Sequence, residues 1–326
     1  MAGKQDVTRA SFFAWPAFLL TAFYCIPVLL PSLFGWMPGV LAVPVAYLLA
    51  EEGFKQSRIT LSGSLFVAGL AGFFTGRLIF FLGILPVIPL GYSLYLSGQK
   101  KQNPAQAALY GVLTLSGCLF LFWILYGLGS DIHPYRQLLH LIDAGFVSAG
   151  DIYRQNGDVP LEMQEELAAV LASLRELIPK ILPGLLISMI LVTVWMNQVL
   201  WNGLLLRVLP KRAPWPPYSS WHLPEQIVWL PIVAAAGYIF GPESWKTIAL
   251  NGIIVSGVIY FFQGLAVFLH MLARWKVPGY FRILLYGMLV IQSYGLILLS
   301  LLGVADIWLN LRPGFGDLDT PDPENS

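Results

Sequence analysis

Between Leu61 and Gly98 the chain carries one charged residue, Arg77, and between Ile181 and Leu206 it carries none. Apolar runs of this kind recur along the sequence, with charges gathered in short clusters between them. A helix needs roughly 20 apolar residues to cross the hydrocarbon of a bilayer. No water is available there, so the spanning backbone must satisfy its own hydrogen bonds, which a helix does within itself. Hydrophobic residues make up 57% of the chain and charged residues 11%, and the mean hydropathy is +0.69. The sequence therefore predicts an all-α, polytopic integral membrane protein.

The runs divide into nine expected spans, near 11–31, 35–50, 61–76, 78–97, 107–129, 181–206, 227–241, 245–272 and 281–304. Pro16 and Pro27 should bend the first, which is read as an uncleaved span. The charged stretch 51–58 is read as a loop, and Arg77 divides 61–97 into two helices. If 61–76 or 227–241 is re-entrant, the count becomes eight. Residues 131–180 are polar but patterned: Leu138, Leu141, Ile142, Phe146 and Ile152 recur near helical spacing. Asn156, Gly157 and Asp158 make a turn. Pro160 opens a second helix with Glu162, Glu165 and Glu166 at its positive end. The expectation is an amphipathic helical hairpin on the membrane surface. The chain then divides into membrane helices over 1–130, the hairpin over 131–180, membrane helices over 181–312, and a disordered acidic tail over 313–326.

Basic residues in short loops set orientation. With the N-terminus in the cytoplasm, that side holds Lys4, Arg9, Lys55, Arg58, Lys100, Lys101, Arg207, Lys211, Arg212, Arg274, Lys276 and Arg282. The opposite side and the tail hold Arg77, Lys246 and Arg312. This arrangement puts the hairpin and the C-terminus outside.

A net charge of +1 with no basic stripe gives no sign of a nucleic-acid partner. Cys25 and Cys118 both lie in apolar runs, which excludes a disulfide framework. There is no phosphate loop, HExxH, CxxC or nucleophile elbow, so neither a catalytic residue nor a cofactor is expected, and the chain is not read as an enzyme. His133 and His140, with Asp131 and Asp143, lie on one helical face but two turns apart, too far for one ion; no metal is expected. Apart from Arg77, no charge falls in the middle of an expected span, which argues against a proton-driven pump.

Neutral polar residues do occur within the spans. Gly252, Ser256, Gln263 and His270 fall on one face of the eighth, and Trp195, Gln198 and Asn202 on one face of the sixth; Gln292 and Ser293 lie in the ninth. Trp195, Gln198, Asn202, Ser256 and Gln263 are the candidate lining of a ligand cavity. Interhelical hydrogen bonding is the plainer alternative. Two small-residue ladders, Ala42, Ala46, Ala50 and Ser64, Ala68, Gly72, Gly76, allow close helix approach. They serve either internal packing or the docking of another membrane subunit. Trp215, Trp221 and Trp229 fit an aromatic belt at the interface, or alternatively a gating loop.

The segments WHLPEQIVWLP at 221–231, YFFQGLAVFLHML at 260–272, KVPGYFRILLY at 276–286 and GVADIWLNLR at 303–312 resemble the YybS-like family of uncharacterised bacterial membrane proteins. The resemblance implies a bacterial cytoplasmic membrane. It also implies a distant likeness in fold to the substrate-binding S-components of energy-coupling-factor importers, in which a small-residue helix face docks on a coupling subunit. The ladder Ala42, Ala46, Ala50 is similar to that feature. Three functions follow as expectations: a substrate-binding or permease-like subunit for a small uncharged solute, a non-catalytic scaffold of envelope or shape machinery, and, last, a lipid-modifying enzyme. The lipid bilayer is the expected partner, and docking on another membrane subunit is a further expectation.

Overall fold

A computed structural model describes residues 17–130, 133–155, 161–291 and 294–312, and every regular element in them is a helix. The expectations that rest on Asp131, Asn156 to Pro160, Gln292, Ser293, the first sixteen residues and the tail lie outside the described residues. The helices are α1 (Ala17–Leu29), α2 (Ala42–Glu52), α3 (Phe54–Phe74), α4 (Leu78–Gln99), α5 (Pro104–Ser130), α6 (Pro134–Gln155), α7 (Leu161–Val208), α8 (Trp229–Phe240), α9 (Glu243–Arg274), α10 (Gly279–Ile291) and α11 (Tyr294–Leu309). Five of them, α3, α4, α5, α7 and α9, are long and apolar enough to cross a membrane. A sixth crossing is added if α10 and α11, bent by 106°, count as one broken span. The division at Arg77 stands: its N–H bonds the Gly72 carbonyl at 2.7 Å as α3 ends, and its guanidinium bonds the Leu29 carbonyl at the end of α1.

The charged stretch 51–58 is not a loop. Gly53, at φ +78°, is the whole hinge between α2 and α3, a conformation glycine adopts without the strain a Cβ would bring. The second expected span also differs, because 31–41 forms only a single helical turn and a 3-10 turn before α2 begins. This irregular backbone is held by Asn197 of α7. Its amide donates to the Gly39 carbonyl at 2.6 Å and accepts from the Val43 N–H at 3.1 Å.

Helix α7 runs for 48 residues, about 72 Å at helical rise, so one rod carries both the polar segment and the sixth span. Pro179 and Pro183 lie inside it. A proline removes a ladder hydrogen bond, and Asn251 of α9 reaches in at that level, accepting from the Gly184 N–H and donating to the Lys180 carbonyl. Helix α6 lies antiparallel to the first turns of α7, tied by a bidentate Arg175–Asp143 pair.

Helices α7, α9 and α11 run parallel. Gly184 meets Asn251 and Trp195 meets Phe262, a constant offset; Gly257 meets Ser300 and Gln263 meets Asp306, another. Parallel neighbours need a return element between them. Helix α8 supplies the first, packing Gly237 on Ala249 and Ala234 on Gly252, and α10 supplies the second. The last apolar run, expected as one span over 281–304, is therefore two helices of different direction. As a result the chain reaches residue 312 at the same end of the bundle as the 209–223 loop, where Arg312 bonds the carbonyls of Ser219 and Trp221. The expectation that this loop and the C-terminal segment lie on opposite sides is overturned.

The tightest contact is between α9 and α11. A Cβ at Gly264 would collide with the Leu299 carbonyl, and one at Gly303 with the Tyr260 carbonyl. Both glycines are needed for backbone to meet backbone. Gly264→Val should cost at least about 1–3 kcal/mol by overpacking. Gly257→Ala, which meets open space, should be within about 0.5 kcal/mol of the parent. Unfolding in detergent followed by circular dichroism checks this, and equal unfolding temperatures for the two variants would refute the close crossing.

Candidate functional site

The 209–223 loop, rich in proline and aromatic residues, closes one end of the bundle over α5, α7 and α9. Its conformation is set by buried side chains rather than by regular structure. Asn202 of α7 accepts from the Trp215 N–H at 3.2 Å and donates to the carbonyls of Trp215 and Pro216. The Trp215 indole donates to Gln102, in the α4–α5 connection, at 2.7 Å, and the Trp221 indole donates to Pro216 at 2.9 Å. The Tyr218 hydroxyl donates to the Phe262 carbonyl on α9.

Six rings continue this order into the bundle. Trp201, Trp215, Trp221, Tyr218 and Trp195 meet edge to face with centroids 5.3–5.7 Å apart, and Trp195 stacks on Phe262 at 4.5 Å and 5°. Such pairs each contribute about 0.5–1.5 kcal/mol beyond burial. Trp215 and Trp221 are buried, at 5% and 8% exposure, so the aromatic-belt expectation fails for both. Trp229, 64% exposed, keeps the character of a belt residue.

Behind the loop lies a buried ionic centre. The Asp306 carboxylate, near the end of α11, accepts from Gln263 at 2.7 Å, from the Arg312 guanidinium at 2.6 Å and from the Leu311 N–H at 3.2 Å. Arg312 also donates to the carbonyls of Ser219 and Trp221, at 3.1 and 2.8 Å, and Gln263 accepts from the Leu223 N–H at 3.1 Å. The side chains of Arg312 and Asp306 are 0% and 4% exposed. Three side chains, Asp306, Arg312 and Gln263, thus fasten the loop to α9 and α11. Sequence reasoning missed Asp306 and Arg312 because each lies just beyond the last expected span. The available signal was a lone acid in an apolar run, six residues before a lone base.

Between the loop and α5, α7 and α9 is a recess of about 210 Å³. Ala108, Trp195, Gln198, Tyr218, His222, Phe262 and Gln263 line it. Of the sequence-derived candidates, Trp195, Gln198 and Gln263 come together there. Asn202 lies behind it, on the loop, and Ser256 is buried elsewhere on α9, donating to the Ile253 carbonyl at 3.0 Å. Gln198 donates to the Pro104 carbonyl at 2.8 Å, which leaves its amide oxygen as the acceptor facing the recess. The Trp195 indole nitrogen is buried beside the Tyr218 hydroxyl. The lining offers flat aromatic surface and a few neutral polar atoms, chemistry suited to a small planar molecule.

The small-residue ladders are used inside the protein. Ala42, Ala46, Ser64, Ala68 and Gly72 are buried, Ala50 is half-buried, and Gly76 is exposed at the end of α3. Most of that face is therefore covered by the chain itself rather than presented to a docking subunit. Among the described residues no three His, Cys, Asp or Glu side chains gather in a way that would hold a metal, and Asp143 is engaged by Arg175.

Truncating one partner of a buried ion pair leaves the other uncompensated, at about 3–5 kcal/mol. Asp306→Ala and Arg312→Ala should each lower stability by that order. Asp306→Ala combined with Arg312→Ala should cost less than the sum, as read by a double-mutant cycle of thermal unfolding; strict additivity would show that the pair is not coupled. His222 gives a separate test. Its partial burial, and then the nearby Arg312, push its pKa below the ordinary 6.5. The folded loop resists a proton that the unfolded loop accepts, so the His222 contribution is complete above pH 6.5 and declines as pH falls below it. The parent should lose more stability than His222→Gln between pH 7.5 and 5, and parallel pH profiles would refute the assignment.

No curated protein and no solved structure gave a significant match to this chain. One family model, described as a predicted membrane protein family, matches residues 18–307, which takes in every helix from α1 to the buried Asp306. The chain belongs to the DUF2232 family of predicted membrane proteins.

Proposed function

We propose that this protein is a substrate-binding, permease-like membrane subunit, which captures a small, uncharged, planar solute in the aromatic recess between α5, α7 and α9. One observation supports this above the others: the recess joins a stacked Trp195–Phe262 pair to the Gln198 amide beneath a loop fastened by a buried ion pair. The recess lining is neutral apart from His222, which matches the absence of mid-span charge that an ion-driven pump would need. The reading extends the resemblance to YybS-like proteins and, more distantly, to S-components. Its docking face for a coupling subunit would lie elsewhere than the two buried ladders.

The proposed topology has the loop end of the bundle in the cytoplasm of a bacterial inner membrane. Lys100, Lys101, Arg207, Lys211, Arg212, Arg274, Lys276 and Arg312 all belong to that end, in accord with the positive-inside rule. Counting the shorter apolar helices α1 and α8 as crossings extends the five long ones towards the larger number expected from the apolar runs. A non-catalytic envelope scaffold is the second reading. It draws on α6 and the first turns of α7, where no described residue is buried and Leu141, Val147, Met163 and Val170 are exposed.

A thermal-shift screen of the purified chain against vitamins, nucleobases and uncharged aromatic solutes tests the proposal. At a ligand concentration of about 100 Kd, binding should stabilise by about 2.7 kcal/mol. Trp195→Ala and the recess-filling Ala108→Phe should abolish the shift while each variant still unfolds cooperatively. Gln263 is unsuited as a probe, since it holds Asp306 and Leu223 whether or not a solute binds. A shift that survives both variants would move the site, and the absence of any shift would favour the scaffold.

A further inference from the structure

We propose that a second site, on the opposite face of α7, holds an anionic phospholipid of the leaflet at the loop end. The recess uses Leu191, Val194 and Gln198 of α7. Leu200, Gly203 and Arg207 each follow one of those by nine residues, half a turn out of phase at 100° per residue. On that face α1, α2 and α7 enclose a groove of about 1030 Å³. Its walls are apolar, with Phe23, Val43, Leu200 and Gly203 among them, and its charged lining residues, Glu51 and Arg207, are both at the loop end.

The depth of the groove matches one leaflet. From Val199 to Arg207 the α7 wall covers nine residues, about 12 Å of helical rise, close to half of a hydrocarbon core of about 30 Å. The groove follows the whole length of α2. It runs beside α2 from Val40 to Glu51, and Asn197 holds the backbone at the start of that wall by bonding Gly39 and Val43. An acyl chain fits the apolar walls, and a headgroup would come level with Arg207.

Charge selects the headgroup. Residues 207–212 carry Arg207, Lys211 and Arg212 and no acid, while Glu51 and Glu52 are balanced by Lys55 and Arg58 over 51–58. Arg212 is held by the carbonyls of Ala50 and Glu51, which fixes one cation over the mouth. Arg207 is exposed and makes no ion pair among the described residues, which leaves its guanidinium for a phosphate oxygen. The Glu51 carboxylate lies beside Tyr47 at the same level and would repel the anion, so the surplus of cations, rather than any single one, provides the preference.

Native mass spectrometry of the full chain in detergent tests this, with phosphatidylglycerol and phosphatidylcholine of identical acyl chains added in equal amount. The parent should retain phosphatidylglycerol about fivefold over phosphatidylcholine, and Arg207→Gln should bring that ratio close to one. Gly203→Phe should lose both lipids, because it fills the groove; a Cβ there meets nothing within 4 Å, so the variant should fold, with an unchanged unfolding temperature. Equal retention of the two lipids by the parent, or a preference that survives Arg207→Gln, would overturn the proposal. So would a Gly203→Phe variant that keeps its lipid but loses a dimer, which would assign the groove to a second copy of the chain.

Discussion

Backbone that leaves the helix within a bilayer has no water to turn to, and each unmet N–H or C=O there costs several kcal/mol. This protein meets that constraint with side-chain carboxamides, which carry a donor and an acceptor on one planar group. Asn197 supports the turn before α2, Asn251 supports α7 at its prolines, Asn202 supports the aromatic loop, and Gln263 supports the end of that loop. Each stands on a regular helix and serves an irregular neighbour. The long helices α7 and α9 thus determine the positions of segments that could not hold their own shape.

The ionic centre follows from the same constraint. Arg312 closes the backbone carbonyls of the loop, and its charge then requires Asp306, which in turn requires Gln263. Replacing such a pair with apolar groups is often neutral for stability. Here its position is specific, since it joins the C-terminal segment, the loop and α9 at one point. That junction forms the back of the recess, and it depends on α11 lying parallel to α9.

Much of the helical framework was legible in the sequence. Arg77 separates α3 from α4, and Gln198 and Gln263 could be placed on an inward face because polar groups seldom face lipid. What could not be read was partnership across distance. Asn197 sits beside Gln198 in sequence and looks less informative, yet it supports backbone more than 150 residues away. Asp306 and Arg312 lay just past the last expected span and drew no role, since nothing local shows that α10 and α11 change direction within one apolar run. Trp215 and Trp221 carry the composition of an interfacial loop, and only the rings they meet reveal them as core. The small-residue ladders announced close approach correctly but not its partner, and the tightest approach, Gly264 with Gly303, joins glycines on separate helices that no single-helix spacing displays.

Helix α7 has a mechanical consequence. The aromatic recess and the apolar groove share one rod of about 72 Å, longer than a hydrocarbon core of about 30 Å, whose far end lies beside α6. A protein gripping that far end would hold a lever on both cavities at once. The prolines at 179 and 183, braced by Asn251, are where such torque would be either passed along or absorbed.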